Sequence, residues 1–335
     1  MGNDCQLSII IVNFNTFELA SNCIRSIYTH NNPKELLFEI ILVDNASKEC
    51  SPKQFLTEFP QLKLIENREN VGFGVANNQG MEAAKGEFIL LLNSDTIVLA
   101  DALLLSLRML QKLRLDNPKI GLLGCRVLNA DGSNQASYWQ NVTDFSKMQA
   151  FAQALLYNLV YTKLKSRFAR PTTAQIEPIE AENLPFFPVE GLFGAFVLLH
   201  REVWEQTKGF DPDFFLYCEE TEWFRNRIRP RFEIIFYPEP QIIHLGGQSG
   251  QHLSDVSLQG MASYFLYWYK RGYGLYWVFV LTAYLGWFCN LWVYPFVSRF
   301  SRNQIRAFFK LIPIVFWQIP RYKRYYGSRP RFLRL

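Results

Sequence analysis

Residues 7–15 read Leu-Ser-Ile-Ile-Ile-Val-Asn-Phe-Asn, a mostly β-branched run that turns polar at Asn13. A strand that is apolar on both faces, with no alternation, is the pattern of a parallel sheet covered by helices. The runs EIILV (39–43), LKLI (62–65) and FILLL (88–92) repeat the pattern. Helical spacing fills the gaps. Residues 16–30 place Leu19, Cys23, Ile24 and Ile27 on one face behind Thr16 as N-cap; two further helices are predicted over 74–84 and 100–115. Strand–helix alternation implies right-handed βαβ units and an α/β fold, with a mostly parallel Rossmann-like sheet and helices on both faces. Beyond residue 128 the spacing predicts a mobile loop at 131–141, a helix near 145–168 and a Pro-bearing stretch to 188. A strand at 194–199, helices around Trp204 and over 220–229, and two late strands at 234–237 and 241–244 follow.

The average charge of +5 over 335 residues hides an asymmetry. The last acidic residue is Asp255; the 80 residues after it hold 12 of the 35 Lys and Arg and none of the 30 Asp and Glu. The first 255 residues therefore carry 23 bases against 30 acids, a net −7. An acidic body joined to a basic tail suggests a polyanionic partner. Residues 272–297 contain no charged side chain, which speaks against nucleic acid and for a membrane surface, either spanned or lain upon. The domains are thus expected at 1–255 and at 256–335, the latter a basic, aromatic, membrane-associated helical region. Six scattered cysteines without a CxxC pair fit a reducing compartment, and the N-terminus, without a basic region ahead of its apolar run, is not expected to be a signal peptide.

Ligands of parallel α/β sheets bind beyond the carboxyl ends of the strands. Those ends read Asn13-Phe14-Asn15, Asp44-Asn45-Ala46-Ser47, Asn67-Arg68 with Asn70, and Asn93-Ser94-Asp95. One polar end would be helix capping; four in register make a binding edge. No G-x-G-x-x-G follows the first strand and no P-loop occurs, but Gly72 and Gly74 open a helix where backbone can approach an anion. Asp95, at the end of a buried strand, is the first metal candidate, and His244, before Gly246-Gly247, is the second. Glu219, Glu220 and Glu222 follow the apolar run 214–217 and are the candidates for a general base, since an apolar setting raises a carboxyl pKa.

SIIIVNFN (8–15), ILVDNAS (41–47), ENVGFGVANNQG (69–80), LLLNSDT (90–96), the stretch 194–226 from GAFVLL to EETEWFRN, and HLGG (244–247), taken in order, resemble glycosyltransferase family 2 with its GT-A fold. They are similar in particular to its bacterial rhamnosyltransferase-like branch. The resemblance covers about residues 7–250. It implies that Asn13, Phe14 and Asp44 hold the donor nucleobase and ribose, with Asn15 and Asn45 on the same edge. It implies that Asn70, Gly72, Phe73 and Asn78 shape the donor pocket. Asn93-Ser94-Asp95 stands at the family's DxD-type motif, with Asn93 replacing the first acid and Asp95 on Mg2+ or Mn2+. Glu220 stands at the catalytic base, usually Asp, which leaves Glu219 and Glu222 as rivals. The expected activity is inverting transfer of a sugar from a nucleotide-diphospho-sugar to a glycan or polyprenyl-linked acceptor, on the cytoplasmic side of a membrane, in surface polysaccharide synthesis. The alternative is a non-catalytic nucleotide-sugar-binding or scaffold protein of the same fold.

Overall fold

The computed structural model describes residues 5–31, 35–140, 185–246, 253–293 and 309–321, and the expected helix near 145–168 lies outside them. The described residues fall into two compact units, one ending at residue 246 and the other beginning at residue 253.

In the first unit the chain runs β1 (Leu7–Asn13), α1 (Phe17–His30), β2 (Phe38–Asp44), α2 (Gln54–Glu58), β3 (Lys63–Glu66), α3 (Phe73–Ala83) and β4 (Phe88–Asn93). It continues through β5 (Thr96–Val98), α4 (Ala102–Asp116), β6 (Ile120–Leu128), β7 (Tyr138–Trp139), β8 (Phe187–Val189), β9 (Gly191–Leu192), β10 (Phe196–His200) and α5 (Arg201–Thr207). The short α6 (Glu219–Glu222) runs into a π-helical turn at Trp223–Ile228, and β11 (Glu233–His244) ends the unit. Among the described residues nine strands form one sheet, ordered β3-β2-β1-β4-β10-β6-β11-β5 with β8 beside β11.

The first four strands are parallel, as their apolar runs implied. The sheet as a whole is mixed, not mostly parallel. β10 enters between β4 and β6 and runs antiparallel to both, and β11 pairs antiparallel with β5 and β8. An apolar run reports burial and carries no direction, so this reversal was not legible in it. The two late strands are one strand, β11, interrupted by a register shift between Tyr237 and Gln241, where Pro238 and Pro240 bring no N–H to the ladder. β6 and β5 had no counterpart among the expected strands.

Helices cover both faces. Leu7, Ile9 and Ile11 of β1 point into a core with Ala20, Cys23, Ile24 and Ile27 of α1 and Leu103, Leu107 and Leu110 of α4. Ile10 points the other way, against α3, where a Cβ on Gly80 would lie 2.3 Å from Ile10 Cγ2. A helix-interior glycine usually weakens a helix, yet here its missing side chain lets α3 sit down on the sheet. Thr16 precedes α1, but its hydroxyl donates to Asn13 Oδ1 at 2.9 Å and makes no cap bond. The helix start is thereby tied to the strand end.

The second unit contains α7 (Leu253–Arg271), α8 (Tyr273–Val293), and residues 309–321 with a π-helical turn at Ile314–Gln318. Phe265 and Trp268 of α7 pack on Phe279 of α8, with ring centroids 5.1 and 5.3 Å apart. Tyr276 donates its hydroxyl to the Val315 carbonyl. Among the described residues no helix is long and apolar enough to cross a membrane.

Candidate active site

The strand order changes direction at β1: β2 and β3 lie on one side and β4 on the other. That is a topological switch point, where connections leave in opposite directions and a crevice opens beyond the carboxyl ends. Register aligns Asn13 with Asp44 across β1–β2 and Val12 with Asn93 across β1–β4.

A polar network rigidifies this edge. Asn13 Nδ2 donates to Asp44 Oδ1 (2.8 Å) and Ser47 Oγ (3.0 Å), and Asp44 Oδ2 accepts from the Ser47 amide (3.0 Å). Asn15, at φ 54°, accepts from Lys48 N through Oδ1 (2.7 Å), and Phe14 is exposed. The buried Asn45 donates to Asn70 Oδ1 (2.7 Å) and the Gly72 carbonyl (3.3 Å), while its Oδ1 accepts from Val71 N (3.0 Å). Phe73 N donates to the Phe215 carbonyl (2.9 Å), which ties the start of α3 to the acidic segment. Asn78 sits one helical turn deeper and is committed elsewhere. Its amide donates to the Phe210 carbonyl and accepts from Phe210 N, both at 2.9 Å, so it positions the 210 loop.

The acid cluster separates into three environments. Glu222 lies 3.2 Å from Arg227 Nε, and Arg227 also meets Asp211 at 3.2 Å, so Glu222 stands in an ion-pair network. Glu219 is buried, and its Oε2 has no hydrogen-bond partner. Burial holds its carboxyl above the usual carboxylate range. Glu220 is half-buried and accepts from the Gly194 amide; burial first, and then the charge of Glu219, pushes its carboxyl up as well. A Cβ on Gly194 would stand 1.7 Å from Glu220 Oε1, so glycine is needed for this contact. Tyr217 and Cys218 precede the cluster at φ 68°, two successive left-handed non-glycine residues, a strain of order 1–3 kcal/mol each that surrounding structure must hold in place.

The neighbouring residue of that same segment, Ala195, accepts from Asn93 N (3.2 Å), so residues 194–195 join Glu220 to the end of β4. There Asp95 is buried, with its Oδ1 3.2 Å from His244 Nε2, and Asn93 Nδ2 lies 3.4 Å from the same nitrogen. Asn93 Oδ1 is buried without a hydrogen-bond partner. No group of three or more His, Cys, Asp or Glu able to hold a metal occurs among the described residues. A carboxylate, an imidazole nitrogen and an unsatisfied amide oxygen do suit a hard cation that takes its remaining ligands from a diphosphate. The residue that the sequence reading missed is Gln135, whose Oε1 lies 2.6 Å from His244 Nδ1. It fell within the expected loop; residues 129–134 form a tight turn there, closed by Asn129 N to Ser133 O (2.8 Å).

Residues 8–168 match the model of Glycosyl transferase family 2. The chain is similar to a poly(ribitol-phosphate) beta-glucosyltransferase of Bacillus spizizenii, at 35 % identity over 103 residues, 30 % of this chain and 16 % of that one. It is similar to an N-acetylglucosaminyl-diphospho-decaprenol L-rhamnosyltransferase of Mycobacterium tuberculosis, at 23 % identity over 268 residues, 74 % of this chain and 76 % of that one. Among solved structures it resembles GalNAc-T7 with UDP, GalNAc and Mn2+, at a TM-score of 0.50 and 17 % identity, covering 78 % of this chain and 48 % of that one. That likeness carries the GT-A fold. The chain thus spans only 16 % of the first of these relatives and about half of the solved one.

Two raised carboxyls side by side give a pH signature. A base must be deprotonated, so activity should fall on the acid side at a pH well above the ordinary carboxyl value of ~4.3. In Glu219→Gln the repulsion that raises Glu220 is gone, and this acid limb should move to lower pH. Stability runs in the opposite sense: a carboxyl with a raised folded-state pKa stabilises in its protonated form, and that contribution is lost as pH rises through the raised pKa. Glu219→Gln should therefore gain stability against urea at alkaline pH relative to acidic pH. An acid limb that stays in place in this variant would remove the coupling.

Proposed function

We propose that the chain is an inverting glycosyltransferase that moves a sugar from a nucleotide-diphospho-sugar to a hydroxyl of a lipid-linked glycan acceptor. The observation that carries this reading is the half-buried, raised Glu220, joined through residues 194–195 to the Asn93–Asp95 corner. A base with that environment is poised for proton removal near neutral pH. Glu220 takes the proton of the acceptor hydroxyl, and the oxygen forms a bond to the anomeric carbon. The bond from that carbon to the diphosphate oxygen breaks, and its electron pair leaves with the nucleoside diphosphate. Asp95 and His244, beside Asn93, would hold Mg2+ or Mn2+, whose charge when bound offsets that of the departing diphosphate. The Mn2+ and UDP of the GalNAc-T7 structure support this reading. The site edge offers the diphosphate Asn, Ser and backbone groups, in keeping with the net −7 of the first 255 residues. An L-rhamnosyl donor is the first sugar to try, because the relative matched over most of both chains is named for L-rhamnosyl transfer to a decaprenol-linked diphosphate.

We also place the protein on the cytoplasmic face of a membrane, with α8 lying in the surface. Leu275, Val278, Leu281 and Leu285 recur at three- and four-residue intervals along α8 and are 44, 48, 67 and 64 % exposed. Trp317 is 64 % exposed, and Lys270-Arg271 precede the helix. An apolar stripe beside cations is the composition of an interfacial helix.

Two outcomes test these readings. With nucleotide-sugars screened in Mn2+, Glu220→Gln should lower kcat by about 10²–10⁴ while leaving donor binding intact, the span that general-base catalysis supplies. Near-normal transfer by the variant would remove Glu220 as base, and no turnover with any donor by the native chain would favour the non-catalytic alternative. In the full chain, Leu281→Asp with Leu285→Asp should weaken co-sedimentation with phosphatidylglycerol vesicles, and undiminished binding would remove α8 from the membrane contact.

A further inference from the structure

The side chain that decides what His244 can bind is Gln135. Its Oε1 faces His244 Nδ1 at 2.6 Å, and its Nε2 reaches the carbonyl of the same residue at 3.5 Å. Nε2 also donates to Asn129 Oδ1 at 2.9 Å. That second bond fixes which end of the amide faces the ring, since the nitrogen is held by two acceptors and the oxygen is left for the imidazole. An amide oxygen only accepts, so Nδ1 carries the hydrogen and donates it. In the neutral imidazole the lone pair then lies on Nε2, the nitrogen that stands 3.2 Å from Asp95 Oδ1.

The backbone of Gln135 is fixed at both ends of the peptide. Its N–H donates to the Val127 carbonyl at 2.8 Å, and its carbonyl accepts from Ser137 Oγ at 3.0 Å. Asn129 belongs to the turn that ends β6, where Gly132 N donates to the Asn129 carbonyl at 2.9 Å and Asp131 Oδ1 accepts from Ser133 N at 3.0 Å. A chain of directional bonds therefore runs from this turn to the ring of His244.

We infer that Gln135 is a positioning residue for the cation: it holds His244 in the Nδ1–H tautomer, so that the Nε2 lone pair and the Asp95 carboxylate converge on one point. Two electron-pair donors 3.2 Å apart repel unless a proton or a cation stands between them, and in the Nδ1–H neutral form it is a metal ion that would take that place. The inference rests on the metal reading of Asp95 and His244 above, and it assigns to the 129–135 turn a role in setting affinity.

The test uses the full chain and Mn2+ alone, with free Mn2+ read by its electron paramagnetic resonance signal. The tautomer of His244 is read by nitrogen NMR on protein labelled in its four histidines, with His244→Asn for assignment. Gln135→Leu keeps the volume and removes the acceptor. It should lower Mn2+ affinity about 10- to 100-fold, the usual effect of losing the partner of a metal-bound histidine, and release the Nδ1–H tautomer. Gln135→Glu restores an acceptor for Nδ1–H and should recover most of the affinity, which a merely structural role for Gln135 would not give. Native affinity in Gln135→Leu, or an Nε2–H tautomer of His244 in the native chain, overturns the inference while leaving the metal site standing. No Mn2+ uptake by the native chain overturns the metal reading and this inference together. Circular dichroism and the urea midpoint of Gln135→Leu, expected to match the native chain, separate loss of the site from loss of the fold.

Discussion

Everything at the polar edge of the sheet depends on β1 being hydrogen-bonded along its length to parallel neighbours on both sides, β2 and β4. With both faces buried, β1 cannot slip by one residue without turning Ile9 and Ile11 out of the core they share with α1 and α4. The register that protects the core is the same register that sets Asn13 level with Asp44, and Val12 level with Asn93. Core packing thus fixes the spacing of polar groups at the crevice, and binding geometry is a by-product of hydrophobic burial. Gly80 belongs to the same logic, because α3 carries the Gly72–Phe73 end of the site and can approach only where Ile10 meets no side chain.

The acidic corner is built on the opposite principle, with local cost held in place by the surrounding fold. Two carboxyls, Glu219 buried and Glu220 half-buried, stand in succession, and the residues leading into them adopt left-handed backbone angles. Such features persist only where neighbours over-determine them. The neighbours here are named: the Phe215 carbonyl accepting from Phe73, the Gly194 amide on Glu220, and Arg227 paired with both Glu222 and Asp211. Arg227 draws the third acid, Glu222, into an ion pair, while the raised carboxyls of Glu219 and Glu220 owe their shift first to burial.

The sequence made the first half of the sheet legible because each strand there is a short apolar run that ends in polar residues, and that signal is local. It left the direction of β10 unread, because direction depends on a chain path of about a hundred residues between β4 and β10. It left β6 unseen, because IGLLGCRVL carries two glycines and an arginine and lacks the β-branched density of β1. At the site, the strand-end residues were readable from the pattern, while the difference between Glu220 and Glu222 was not. That difference is made by Arg227, five residues on, through a π-helical turn that brings it back onto Glu222. Asn78 and Gln135 show the same limit in opposite directions: one reads as a pocket residue and is committed to Phe210, and the other reads as loop and faces His244.

On the reading proposed above, a nucleoside diphosphate lies in the crevice between the ends of β1 and β4, with Glu220 facing it. The most direct measurement is a crystal structure of the full chain grown with Mn2+ and a mixture of uridine, guanosine and thymidine diphosphates. The base and ribose should lie beside Asn13 and Asp44, and the diphosphate near Asp95 with Mn2+ between Asp95 and His244. An open volume should remain in front of Glu220 for the acceptor hydroxyl. A nucleotide bound away from these strand ends, or one whose diphosphate leaves Asp95 and His244 paired with each other and without metal, would contradict it.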